Sequence, residues 1–245
     1  MRFDMKNHPS WSTGLFEAAG YPDVKMVYLD VPPYDVSGIH EEAKQLRELF
    51  TVTDKHYQRS KVTGKALNEN WHRLTLRGIT KHGSYHPKLD GYEHHFEVPY
   101  RWCLEEEAPI ATAYCQHLMN TVFQDFNVGR IAFNLLGPDG KIGKHRDILI
   151  GTPEFHPVHF VINEPLGSVT YLNGYEMRTD PGTCYVFDQL ITHWLHNNTN
   201  VDRYHFIAMV DFFGNVVAWK KLLERSLDKY GIIINKGQID AAGVR

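Results

Sequence analysis

The chain has 245 residues, 42% apolar and 13% aromatic, which is enough for a sizeable core and suits one barrel-type domain. A formal charge of −3 and an isoelectric point near 6.6 supply no global basic field, so nucleic acid is not implied as a partner. Met1-Arg2-Phe3-Asp4-Met5-Lys6 opens without a long apolar stretch, no run approaches the ~20 apolar residues of a membrane span, and Cys103, Cys115 and Cys184 show no Cys-x-x-Cys spacing, so the reading is a soluble cytoplasmic protein with free thiols and no membrane partner.

Residues 1 to 36 are punctuated by Pro9, Gly14, Gly20, Pro22, Pro32 and Pro33, an irregular cover layer with one apolar strand at Val24 to Val31. Ser37 is placed to cap a helix running to Phe50, with Ile39, Ala43, Leu46 and Phe50 on one face. Trp71 to Arg77 alternates apolar and polar residues, as a half-buried strand does. Residues 78 to 101 hold His82, His86, His94 and His95 among glycines and prolines and read as a long loop: a substrate lid, a His-rich second metal site, or a plain exposed connection. Adjacent His94 and His95 point opposite ways on an extended chain, which weakens joint ligation. Pro109 should open a helix through about Phe126, with Ile110, Tyr114, Leu118 and Val122 as its apolar stripe.

From residue 129 the period changes. Short strands are expected at 129–136, 142–150, 157–163, 168–173, 175–179, 183–188, 191–197 and 203–213, with turns at Gly137-Pro138-Asp139-Gly140, Asn173-Gly174 and Pro181-Gly182. Eight such strands suggest a mainly β protein, a double-stranded β-helix (jelly roll, cupin-like) with flanking helices. The division is one domain over 1–245: supporting strands and helices to 127, the jelly-roll core at 128–214, and a C-terminal helix with a tail beyond. That helix carries Trp219, Leu222, Leu223 and Leu227, and Gly231 stops it. The last dozen residues carry no signal.

His145 and Asp147, two apart, leave an extended strand on one face and can grip one ion. A third ligand is available downstream, where His193 shares a face with Leu195 and Asn197, while His196 shares the other with Trp194. Two imidazoles and one carboxylate with open positions suit non-haem Fe(II). The competing reading of His145 is a solvated basic turn between Lys144 and Arg146, with Asp147 capping it.

The pattern His-x-Asp, then Phe-Asp-x4-His-x3-Asn-x5-Arg, resembles the aspartyl/asparaginyl β-hydroxylase-like branch of the Fe(II)- and 2-oxoglutarate-dependent oxygenases. His145 and Asp147 match the first pair; Phe187, Asp188, His193, Asn197 and Arg203 match the second at every spacing. The likeness covers about residues 128 to 213, with an echo at Trp71 to Gly78. It selects His193 over His196 and implies Fe(II), 2-oxoglutarate and O₂, with release of succinate and CO₂. It further implies that Arg203 anchors the distal carboxylate of 2-oxoglutarate, a suitable bidentate partner for a buried guanidinium; the alternative for Arg203 is an ion pair with an internal Asp or Glu. By the same resemblance His159 contacts the cosubstrate, and Asn134 stands where relatives carry a serine near that carboxylate. Retention of Asp147 likens the chain to complete-triad members, including those acting on free amino acids, and argues against an iron halogenase.

The substrate expectation is therefore an amino acid, an amino-acid-derived small molecule, or a residue within a peptide. Trp71, Arg73, His94 and Tyr171 are candidates for the pocket wall, with a solvated edge-strand arginine as the plain reading of Arg73. Two other classes stand beside this one: a cupin-type isomerase or lyase using Zn²⁺ or Mn²⁺ without 2-oxoglutarate, and a metal-free sugar-binding or regulatory jelly roll.

Overall fold

The computed structural model describes residues 14–52, 68–82, 97–147 and 155–243. Within them the strands are β1 (Val24–Tyr28), β2 (Thr51–Val52), β3 (Asn68–Gly78), β4 (Arg101–Trp102), β5 (Asn127–His145), β6 (His156–Val161), β7 (Ser168–Leu172), β8 (Tyr175–Met177), β9 (Cys184–Phe187), β10 (His193–Asn197), β11 (Arg203–Asp211) and β12 (Ile234–Asn235). Their order is β12-β1-β9-β6-β11-β5-β10-β7-β8, with β3 also on β5 and carrying β2 and β4. The sheet is antiparallel at every named strand pairing and curls into the expected jelly roll.

The curl follows from two-sided strands. On β6, β9 and β11 the residues Val158, Phe160, Cys184, Val186, Tyr204 and Phe206 belong to the main core, whereas Pro157, His159, Tyr185, Phe187, Arg203 and His205 line an internal cavity. Successive side chains of a strand point to opposite faces, so each strand feeds both compartments. Helices cover the main core. They are α1 (Leu15–Ala18), α2 (Val36–Gln45), α3 (Pro109–Asn120) and α4 (Val216–Tyr230), and they contribute Phe16, Ile39, Cys115 and Trp219. Among the described residues no helix is long and apolar enough to cross a membrane.

Several boundaries differ from expectation for local reasons. Asp35, not Ser37, caps α2 by accepting from the Gly38 amide at 2.8 Å, and the helix ends at Gln45 before a 3₁₀ turn over Arg47–Leu49. Its buried Glu42 accepts from the Ile110 and Ala111 amides at 2.6 and 2.9 Å, satisfying the free N–H groups at the start of α3. That helix stops at Asn120 rather than Phe126, because Thr121 leaves helical geometry and Phe123 folds back with its amide on Leu118. Its buried residues are Ala111, Thr112, Cys115 and Leu118, and Ile110 is exposed.

The expected turn at 137–140 is instead a bend inside a continuous β5. The fully buried Asn197 directs its amide nitrogen to the Leu136, Gly137 and Val201 carbonyls at 2.8–3.0 Å, and Asn70 donates to Pro138. Polar groups that a reversal would satisfy internally are satisfied here by side chains from other strands. The hairpin at Asn173-Gly174, both at positive φ, and the stop of α4 at Gly231 agree with the sequence. The tail, read as uninformative, pairs β12 with β1 and forms α5 (Lys236–Gly243), whose Ile239 joins a second core cluster with Met26 and Leu172.

Candidate active site

The end of β5 and the start of β10 form the open end of the roll. His193 lies opposite His145, and Leu195 opposite Ile142, so two steps on β10 span three on β5. This bulge sends Lys144 outward, with its Nζ 4.4 Å from the Trp194 ring centre, and leaves His145 on the cavity side. The ring centres of His145 and His193 are 4.2 Å apart. Asp147 closes the group, its carboxylate oxygens 3.4 Å from His145 Nε2 and 3.6 Å from His193 Nε2.

Each histidine is held by the backbone two residues before it. His145 Nδ1 donates to the Gly143 carbonyl at 2.7 Å, and His193 Nδ1 to the Ile191 carbonyl at 2.9 Å. Those bonds place the proton on Nδ1 and leave the Nε2 lone pairs facing each other and Asp147. Burial raises the Asp147 pKa, but the His193 and His145 imidazoles outweigh it and bring it down to about 2, so the carboxylate is ionised at neutral pH. Burial lowers the His193 pKa, and for His145 the Asp147 carboxylate overcomes burial and raises it. One ligand atom from each residue lies within 4.8 Å of the others. Ligand atoms about 2.1 Å from an ion and at right angles sit roughly 3 Å apart, so small side-chain rotations let this N, N, O set fit one Fe(II).

Behind the triad a small cavity of about 110 Å³ runs inward to Arg203. His159 lines it, stacked on Tyr185 at 4.7 Å, and its buried Nε2 has no hydrogen-bond partner among the described residues. Burial, then His205 and Arg203, hold the His159 pKa well below the ordinary value, which keeps it neutral. A buried polar nitrogen on a residue that lines a cavity carries a desolvation cost that a bound polar ligand can offset. Asn134 also lines the cavity, accepting from Trp71 Nε1 at 3.3 Å and donating to the Ala132 carbonyl.

Of the sequence candidates, His145, Asp147, His193, His159, Asn134, Trp71 and Arg203 thus converge on one cavity. Arg73 does not line it: it is buried on β3 opposite Asn134, not solvated on an edge. Tyr171 faces away, stacked on Trp194 at 5.0 Å beside His196. The reason is register: β7 sets Leu172 against His193 and Thr170 against Leu195, so Tyr171 takes the outer face with Trp194. His94, with His86 and His95, lies outside the described residues.

Glu164 is the residue that sequence reasoning missed. Its carboxylate meets Arg203 Nε at 2.8 Å and His205 Nε2 at 3.0 Å. The internal ion pair weighed as the alternative for Arg203 therefore exists, on a guanidinium that still lines the cavity. A buried arginine signals that an anion is near, but no spacing rule picks out a glutamate 39 residues upstream.

A family model for aspartyl/asparaginyl β-hydroxylase matches residues 35–213. The chain belongs to that family. It is accordingly an oxygenase of the hydroxylase type, whose chemistry uses Fe(II), 2-oxoglutarate and O₂; the match lends nothing to a cupin-type isomerase or lyase. Among solved structures, a Trichoplax adhaerens prolyl hydroxylase in complex with a hypoxia-inducible-factor peptide shares the fold at TM-score 0.50 and 8% identity. The alignment covers 83% of this chain and 90% of that one. A Burkholderia pseudomallei protein of the 2OG-Fe(II) oxygenase family aligns at TM-score 0.42 and 14% identity, over 73% and 92% of the two chains. No curated protein matches the sequence significantly.

Proposed function

We propose that His145, Asp147 and His193 hold Fe(II), that 2-oxoglutarate lies in the cavity between them and Arg203, and that the enzyme hydroxylates an unactivated carbon of an amino acid or a small amino-acid-derived molecule. The observation that carries the reading is the shared cavity: three converging ligands at one end and a buried guanidinium at the other. When bound, iron and cosubstrate supply the oxidising chemistry, with oxidative decarboxylation of 2-oxoglutarate to succinate and CO₂ coupled to insertion of one oxygen atom.

The chain's own part is holding and excluding. Asp147 offers an ionised carboxylate and the two imidazoles offer Nε2, a set suited to Fe(II). Arg203 offers terminal N–H donors to a carboxylate, and neutral His159 offers a further polar contact from the side wall. Leu136, Ile142, Phe187 and Ile207 make the remaining wall apolar and keep bulk water from the reacting centre. Trp71, tied to Asn134, presents its ring to the same space and serves as the substrate-side wall.

The small cavity and the side chain of Asp147, 34% exposed at the open end, support a substrate that approaches the iron from outside rather than a buried one. The test is incubation of Fe(II)-loaded protein with 2-oxoglutarate and a panel of free amino acids, short peptides and nucleosides. Succinate release coupled to a mass gain of one oxygen on an amino acid is expected. Coupled turnover confined to a folded protein or a nucleic acid would overturn the substrate class and leave the iron site standing.

A further inference from the structure

The cosubstrate end of the cavity contains a closed ring of hydrogen bonds that neither metal nor cosubstrate accounts for. Arg203 Nε meets one Glu164 oxygen at 2.8 Å, His205 Nε2 meets the other at 3.0 Å, and Arg203 Nη2 meets His205 Nδ1 at 3.4 Å. Thr179 donates a third bond to Glu164 at 3.2 Å. The members are buried, with side-chain exposures of 7% for Arg203, 1% for His205 and 11% for Glu164.

The directions of these bonds are mutually forced. A guanidinium only donates, so His205 Nδ1 accepts and its proton sits on Nε2, which donates to Glu164. Glu164 therefore takes donors on both oxygens, as an ionised carboxylate does, and against the effect of burial Arg203 and His205 hold its pKa below the ordinary carboxylate range. The ring uses Nε and one terminal nitrogen of Arg203 and fixes the plane of the guanidinium, which also interacts with the Tyr185 hydroxyl and lines the cavity. Glu164 does not line that cavity. It also keeps Arg203 paired whether or not another anion is present, which removes the cost of a lone buried charge.

We propose that Glu164 is a positioning residue for the cosubstrate: it acts through Arg203 and His205, presenting the guanidinium edge to the distal carboxylate without touching it. The idea rests on the 2-oxoglutarate reading above. An amide in its place fails for a specific reason. With Glu164→Gln, one end of the side chain becomes a donor facing the donor of either His205 or Arg203, so the ring cannot close.

The test is calorimetric titration of Mn(II)-loaded protein, redox-inert, with 2-oxoglutarate and with 2-oxopentanoate, which lacks the distal carboxylate. Wild type should strongly prefer 2-oxoglutarate. Glu164→Gln should weaken 2-oxoglutarate at least tenfold and leave Mn(II) and 2-oxopentanoate affinities unchanged, with the loss appearing in KM rather than kcat in the Fe(II) enzyme. A Glu164→Gln protein binding 2-oxoglutarate within twofold of wild type, or weakening both oxoacids equally, overturns the inference alone. A wild type with no preference overturns the cosubstrate reading and this inference with it. If Glu164→Gln does not fold, Glu164→Asp keeps the charge but withdraws the acceptor, and its 2-oxoglutarate preference should fall; an unchanged preference overturns the inference.

Discussion

Along β11, Arg203, His205 and Ile207 face the cavity while Tyr204, Phe206 and Ala208 face the helices. The two faces are built on opposite terms. The outer face is saturated without help: Phe206 stacks on Phe160 at 4.2 Å, and Tyr34 and Tyr114 pack edge-on against both. The inner face carries the polar pair Arg203 and His205, tied to Glu164, beside apolar Ile207, and it looks onto a cavity where His159 Nε2 of β6 has no hydrogen-bond partner among the described residues. One strand period therefore separates what stabilises the fold from what waits for a ligand, and changes one residue apart should have unrelated consequences.

The largest effect belongs to the inner face. His193→Ala should abolish Fe(II) binding in anaerobic titration while the apo protein stays folded; retained iron would dissolve the distinction at its strongest point. On the outer face, Phe206→Ala removes a fully buried ring and should cost about 3–5 kcal/mol in denaturant unfolding. Its folded fraction should still bind 2-oxoglutarate like wild type. Arg203→Ala should raise the 2-oxoglutarate KM steeply with little change in iron affinity, since truncating one partner of a buried charge pair costs about 2–5 kcal/mol. An unchanged KM would shift the anchor to His159.

A pH series sharpens the same contrast. Burial raises the Glu164 pKa, but Arg203 and His205 outweigh it and hold it below the ordinary carboxylate range. A depressed folded pKa contributes stability in full above the unfolded value, about 4.3, and loses it as pH falls toward the folded one. The Tm gap between wild type and Glu164→Gln should thus be widest at neutral pH and narrow below about pH 4; a constant gap would mean that the ring is not ionic. The smallest effects are expected at the outward side chains of β10 and β7: His196→Ala and Tyr171→Ala should keep iron affinity near wild type and shift stability by no more than about 1 kcal/mol.

The family spacing in the sequence singles out His145, Asp147, His193 and Arg203, which converge on one cavity, but a period of two accounts only for the downstream part, because the inward position of His145 depends on a bulge in β5. His193 and not His196 faces the cavity, as does Arg203: alternation puts the two histidines on opposite faces, and the family spacing picks His193. What escapes depends on partners distant in sequence. Tyr171 is a pocket candidate only until the register of β7 on β10 is known, and that register is invisible before the sheet is built. The Gly137-Pro138-Asp139-Gly140 turn becomes a bend because Asn197, far along the chain, supplies its hydrogen bonds. Glu164 sits in an Asn-Glu-Pro connection between two expected strands, where no periodicity assigns its side chain a face. The plain reading leaves Arg73 solvated, yet β5 on one side and β2 on the other bury it.

The bulge opposite Leu195 and His193 acts as a phase slip. Ile142 lines the cavity, so unbroken alternation would deliver Lys144, not His145, to the next inward position. One extra residue resets the side-chain frame of β5 just before His145 and Asp147. Ahead of the slip the strand is in frame with Arg203 through Leu136 and with His205 through Asn134; after it, with His193. Straightening the bulge would preserve every ligand in the sequence and rotate an ammonium, which has no lone pair, into the place of an imidazole. The proposed iron site is thus written in the spacing between its residues as much as in the residues themselves.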